Sequence, residues 1–179
     1  MTYPLIKAKH YTPGRNGHKP SLIVIHTMET PENDGRAHQV AQWFAGPTAP
    51  QASAHYMVDE KEIYQSVDEA DTAWAVDDFN LNQTSISIEH AGIAAQTAQQ
   101  WADAYSNKEL HVSAKLVSEI AKRWNIPLVK LTPQDILDGK SGLCGHIDIT
   151  LAKKIHGGHT DPGQHFPWDL YINLIKETK

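Results

Sequence analysis

One cysteine in 179 residues, Cys144, excludes an intrachain disulfide, so the chain must be ordered by packing rather than by cross-links. Long hydrophobic runs are missing too. The apolar stretch Leu22–Ile25 falls far short of the roughly 20 residues that cross a bilayer, and no membrane insertion is expected. Runs of basic side chains are equally absent: 16 Lys and Arg stand against 21 Asp and Glu, for a net charge of −5. A chain so charged has no track for phosphates, which excludes a nucleic-acid partner. Met1-Thr2-Tyr3-Pro4-Leu5-Ile6-Lys7 lacks a charged start followed by an apolar core, so no signal peptide is expected. Repeats, low-complexity tracts and linkers are also lacking. With 40% hydrophobic and 21% charged residues, the composition fits one soluble globular domain over 1–179, its residues 1–20 forming an irregular arm.

Histidine, by contrast, is plentiful. Eleven of them invite a search for metal or acid–base chemistry. The surrounding pattern predicts where they sit. Leu22-Ile23-Val24-Ile25 reads as a buried central strand ending at His26. Arg36 to Phe44 reads as a helix with Val40, Trp43 and Phe44 on one side, stopped by Gly46-Pro47. Ala54–Val58 and Ile63–Val67 read as a hairpin around Asp59-Glu60-Lys61-Glu62. Ser85-Ile86-Ser87-Ile88-Glu89 alternates, placing its isoleucines on one side and its serines and Glu89 on the other. Val112 to Trp124 has helical spacing and ends at Pro127. Pro133 and Gly139–Gly145 predict a long loop before His146, and Pro167 opens a last helix carrying Leu170, Tyr171, Leu174 and Ile175. Strands interleaved with helices imply an α/β domain, a central mixed sheet flanked by helices.

Four side chains in this scheme point to metal chemistry. His26 follows a buried strand, at the sheet's edge. His146 lies in the glycine-flanked segment Gly142-Leu143-Cys144-Gly145-His146-Ile147-Asp148. His159 and Asp161 share the turn His159-Thr160-Asp161-Pro162-Gly163. Two imidazoles and one carboxylate suit zinc and leave a fourth position for water. Each residue also has a plainer reading: a hydrogen-bonded surface histidine, a turn aspartate, and for Glu89 a solvated strand carboxylate.

Six blocks carry a resemblance. They are Ile23-Val24-Ile25-His26-Thr27, Ser53-Ala54-His55-Tyr56-Met57-Val58-Asp59, Ala73-Trp74, Asn82 through Glu89, Gly145-His146-Ile147-Asp148 and His159-Thr160-Asp161-Pro162-Gly163. In this order they resemble the type 2 N-acetylmuramoyl-L-alanine amidases, which include phage lysins, wall-recycling amidases and animal peptidoglycan recognition proteins. The resemblance implies hydrolysis of the bond between N-acetylmuramic acid and L-alanine of bacterial peptidoglycan. It implies a Zn2+ cofactor held by His26, His146 and Asp161 at one edge of the sheet. Glu89 then meets the metal-bound water, His159 takes a position often held by lysine that stabilises the anionic intermediate, and Trp74 and Asn82 fall at the substrate cleft. A monomeric phage endolysin, made in the host cytoplasm and released onto the wall, is the biology expected. A cytoplasmic muropeptide-recycling amidase and a non-catalytic peptidoglycan-binding module are the alternatives.

The chain departs from the family's pattern twice. Ala73-Trp74-Ala75-Val76-Asp77 replaces the frequent Ala-Trp-His-Ala-Gly, and the stretch from Thr150 to Gly158 is longer than usual. The longer stretch makes His156, Lys153 and Lys154 rivals to His159. Cys144 is read as a small buried hydrophobe, and His55 and His90 as structural.

Overall fold

Side chains of a strand alternate between two faces, and that alternation decides which residues of this sheet can carry chemistry. The computed structural model describes residues 2–154 and 158–178. The strands are β1 (Leu22–Thr27), β2 (Tyr56–Val58), β3 (Ile63–Gln65), β4 (Ser85–His90) and β5 (Gly142–Gly145). The helices are α1 (Arg36–Ala45), α2 (Phe79–Thr84), α3 (Ala98–Trp101), α4 (Ala104–Trp124), α5 (Pro133–Leu137), α6 (His146–Lys153) and α7 (Trp168–Glu177). They build the expected mixed sheet flanked by helices, in the order β3-β2-β4-β1-β5, parallel except for the β2–β3 hairpin.

One face is continuous. Ile23, Ile25, Tyr56, Val58, Ile86, Ile88 and Leu143 pack there with Leu110, Leu116, Val117 and Ile120 of α4 and with Tyr171 and Ile175 of α7. Each such side chain contributes about 1.5–3 kcal/mol through the apolar surface it removes from water. The other face has a divided cover. Met57 joins Ala37, Val40, Ala41 and Phe44 in one cluster, while Leu22, Val24 and Cys144 join Ile136, Ile149 and Ala152 in another. Residues two apart from Leu22 and Val24, and from Ser85 and Ser87, are His26 and Glu89. Both therefore emerge on the divided face, where a cleft opens with Phe44 of one cluster and Val76 of the other in its walls.

The structure revises several expectations. Gly142–Gly145 is not part of a loop but a strand, paired parallel with β1 from Leu22↔Gly142 to Ile25↔Gly145. Glycine's poor strand propensity hides it, yet the residue is required: a Cβ on Gly142 would stand 2.8 Å from the Val129 carbonyl oxygen. Helix α4 begins at Ala104 rather than Val112, because Asp103 caps it by accepting from the Tyr105 and Ser106 N–H groups. The two faces of β4 divide as the alternation predicts, and both are covered, since Ser85 and Ser87 are as buried as the isoleucines. Trp43 turns outward, 51% exposed, beside the buried Phe44. Helices α2, α3 and α5 are too short to show a period of 3.6.

The arm is irregular but built into the fold. The Ile6 and Ala8 N–H groups donate to the Gln65 and Ser66 carbonyls, and Thr12 exchanges backbone hydrogen bonds with Thr72. Arg15 is buried, donating to the carbonyls of Glu69 and Gln83 and standing 2.9 Å from His55 Nε2. The Ser87 N–H donates to His55 Nδ1 at 3.1 Å, and the Asp71 carbonyl lies 3.3 Å from Nε2. A second proton would remove the acceptor of Ser87 and set two cations side by side. Burial, with Arg15 adding to it, pushes His55 down to about 3.

A stability slope follows. An ordinary histidine titrates near 6.5, so between there and about 3 the unfolded chain binds more protons at this position than the folded one. The contribution of His55 is present above about 6.5 and is lost as pH falls toward about 3. Urea unfolding of wild type and His55→Asn at about pH 7 and about pH 4.5 measures it. The acid-induced loss of stability should be smaller in the variant by about 2–3 kcal/mol. Equal losses in the two proteins would show that His55 is not the titrating group.

Candidate metal centre and its cleft

Three segments remote in sequence meet at the carboxyl ends of β1 and β5. His26 is the penultimate residue of β1 and lies in register with Glu89 on β4. His146 opens α6 directly after β5. Asp161 arrives on a turn whose carbonyl accepts from the Ile147 N–H, followed by a cis peptide to Pro162. Gly145 lets that turn approach, because a Cβ there would stand 2.6 Å from Pro162 Cδ.

The three functional groups converge. His26 Nδ1 lies 3.1 Å from Asp161 Oδ2, and His146 Nδ1 lies 3.3 Å from Asp161 Oδ1. All three residues are buried, and together they could hold one ion. Zinc's bond lengths of about 2.0–2.2 Å put neighbouring tetrahedral donors about 3.3 Å apart, close to both separations. The Nδ1 atoms are thus the ring nitrogens an ion would take, and each buried Nε2 has no partner among the described residues. The protonation states also suit a cation. Burial raises the Asp161 carboxyl, but hydrogen bonds with His146 and His26 prevail and hold it well below the usual carboxylate range. Burial pushes the His26 imidazole below its ordinary value, favouring the neutral ring. The donor set fits zinc.

Glu89 lines the cleft beside these groups, and its buried Oε2 has no partner among the described residues. Burial, with Asp161 and Glu29 adding to it, raises its carboxyl well above the usual range. His159 is more open, its side chain 57% exposed, and stacks on His146 with ring centroids 4.2 Å apart. Its Nδ1 stands 3.6 Å from Asp161 Oδ1 and its Nε2 4.0 Å from Asp77 Oδ2. Trp74 also lines the cleft, its indole donating to Thr12 Oγ1 and stacking near His10 of the arm. The cleft encloses about 270 Å³.

Asn82 takes a different place from the one expected. It is buried outside the cleft lining, and its side chain is occupied by the 75–76 backbone. Its Oδ1 accepts from the Ala75 and Val76 N–H groups at 3.0 and 2.9 Å, and its Nδ2 donates to the Val76 carbonyl. Of the rivals to His159, Lys153 pairs with Asp78, and His156 lies outside the described residues. Cys144 is buried on β5, where burial pushes its thiol up, and it is not among the grouped donors. His55 and His90 are fully buried in hydrogen-bonded positions away from the donor set. Glu29 and Asp77 are cleft residues that the sequence reading passed over. Asp77 stood in plain view in the departure after Trp74, and Glu29 follows His26 by three residues.

The chain is similar to known proteins along nearly its whole length. The family described as N-acetylmuramoyl-L-alanine amidase matches residues 16–164. N-acetylmuramoyl-L-alanine amidase A of Achromobacter lyticus is 32% identical over 159 residues, covering 87% of this chain and 82% of that protein. The 1,6-anhydro-N-acetylmuramyl-L-alanine amidase AmpD of Haemophilus influenzae is 27% identical over 190 residues, covering 96% and 91%. A mutant endolysin from Bacillus subtilis has the same fold, with a TM-score of 0.63 at 19% identity over 98% of this chain and 99% of that one.

The position of Asn82 yields a test. Asn82→Ala leaves the Ala75 and Val76 N–H groups without their acceptor, and the chain should lose about 2–4 kcal/mol of stability in denaturant unfolding. Asn82→Asp keeps that acceptor and should lose less. Wild-type stability in Asn82→Ala, combined with weaker substrate binding, would instead return Asn82 to a direct contact.

Proposed function

Because the chain belongs to the N-acetylmuramoyl-L-alanine amidase family, we propose that it is a zinc-dependent hydrolase of the amide bond between N-acetylmuramic acid and L-alanine in bacterial peptidoglycan. The observation that carries this reading is the convergence of His26, His146 and Asp161 beside Glu89 at the floor of an open cleft. A binding module needs neither a buried ligand set nor an unpartnered carboxyl, so the enzyme reading takes its place.

His26, His146 and Asp161 would hold the ion. Bound there, zinc supplies a water acidic enough to deprotonate near neutrality and a Lewis acid for the lactyl carbonyl. Glu89 takes the proton of the attacking water and returns it to the departing alanine nitrogen. Its burial suits the second half of that task, because a carboxyl with raised proton affinity retains the proton until the leaving nitrogen needs it. His159, on the solvent side of His146, offers a ring N–H to the oxygen on which negative charge develops. Trp74 provides an apolar platform, held from behind by Thr12 and His10.

We read the biology as that of a phage or prophage endolysin acting as a monomer on the wall, in line with the likeness of fold to an endolysin. A second reading, a muropeptide-recycling amidase, is favoured by the similarity to AmpD along 96% of the chain. No helix among the described residues is long and apolar enough to cross a membrane.

Elemental analysis of the purified protein should find about one zinc per chain, falling sharply in Asp161→Ala. Chelation should abolish release of new muramic acid and alanine termini, read by mass spectrometry, and zinc should restore it. A metal-free preparation with full activity would end the zinc mechanism. Digestion of intact sacculi supports the endolysin, whereas cleavage confined to soluble muropeptides supports the recycling enzyme. Glu89→Gln should retain zinc while turnover falls about 10²–10⁴-fold. A near-normal rate would leave Glu89 as a mere wall of the cleft.

A further inference from the structure

The charged lining of the cleft is one-sided. Glu29, Asp77, Glu89 and Asp161 face it, and no Lys or Arg does among the described residues. Asp161 belongs to the ligand set and Glu89 to proton transfer, and Asp77 lies beside His159. Glu29 has no such duty. Its backbone is left-handed, with φ 51, a conformation that suits glycine better than glutamate. The Met28 N–H bonded to the His90 carbonyl and the Thr30 N–H bonded to the Gly92 carbonyl clamp this turn on both sides. One carboxylate oxygen, Oε1, accepts from the Thr27 hydroxyl at 2.6 Å and from the Ala94 N–H at 2.9 Å. The other, Oε2, has no partner among the described residues, and the side chain is exposed to the cleft. One oxygen of this side chain thus ties the 27–30 turn to the Ala94 loop, which leaves the other free to meet a ligand.

We propose that Glu29 is a specificity-determining residue whose free Oε2 accepts a hydrogen bond from an N–H donor on the stem peptide. The inference rests on the amidase reading. Cleavage of the amide between the lactyl group and the first stem residue brings the residues that follow it in the stem toward the cleft lining around the ligand set. The second residue carries either a free carboxylate or a carboxamide, and the third can carry an ammonium group. A carboxamide or an ammonium supplies the donor that Glu29 lacks, while a free carboxylate meets repulsion from Glu29 and Asp77. The enzyme then prefers amidated or amine-bearing stems over stems rich in free carboxylates.

Synthetic muramoyl peptides separate the two sources of N–H. One pair differs only in D-glutamate against D-isoglutamine at the second residue, the other only in norleucine against lysine at the third. The zinc-loaded wild type should show a kcat/KM preference of roughly tenfold for the N–H-bearing member of at least one pair, on the scale of one charge-assisted hydrogen bond. Glu29→Gln keeps an acceptor for Thr27 and Ala94 but turns the free oxygen into a donor, so the preference should collapse at unchanged zinc content. Glu29→Gly, which the backbone accommodates, should lose it as well. Equal rates within both pairs for wild type, or a full preference surviving in both variants, would overturn the proposal. Wild type that cleaves none of the four peptides and releases no alanine termini from intact sacculi would remove the amidase reading itself, and the inference with it.

Discussion

A buried carboxylate placed between two buried imidazoles is the constraint to which the rest of the molecule answers. Asp161 sets one carboxylate oxygen against each histidine, and each imidazole keeps an Nε2 that has no partner among the described residues. Such a cluster costs folding free energy unless its geometry is fixed and a cation completes it. The fixing comes from the sheet. Register between β1 and β4 puts His26 beside Glu89, and pairing of β5 with β1 brings His146 alongside, so two of the donors are set by backbone hydrogen bonds. The third depends on a turn that reaches the sheet because Gly145 has no side chain.

The asymmetry of the two sheet faces turns that cluster into a usable site. Helices α4 and α7 seal one face with an unbroken apolar layer, which makes it a support. The second face is covered by two separate clusters, and the chemistry lies where neither reaches. Whatever occupies the cleft therefore meets a rigid floor and walls made of loops, the division of labour common in enzymes.

Much of this was legible in the sequence because it followed from short periods. The run Leu22–Ile25 located β1 and so His26, and the alternation in Ser85–Glu89 located β4 and so Glu89. Asp161 and His159 were singled out through the resemblance, which keeps their offset within one turn. Strand β5 was not, since its glycines are there for close approach to Val129 and Pro162, and closeness is a property of the fold rather than of local propensity. Asn82 was misplaced for a related reason: a polar residue near a cleft can support the wall instead of forming it. Glu29 and Asp77 were missed because loops beyond the strand ends set their positions, and no periodicity extends there.

The N-terminal arm imposes an order on biosynthesis. Residues 10–15 leave the ribosome early, but their partners come later: Thr72 and Trp74 for the Thr12 region, then Glu69 and Gln83 for Arg15. The arm must therefore wait, undocked, until the segment from Glu69 to Gln83 has also been made. Because Trp74 takes its support from Thr12 and His10, the platform wall of the cleft cannot set before the arm docks. The donor cluster closes later still, when Asp161 is made. A nascent chain thus passes through a stage in which the sheet's first strand exists but the cluster cannot form. Premature capture of metal by a complete site is excluded by the order of the residues along the chain.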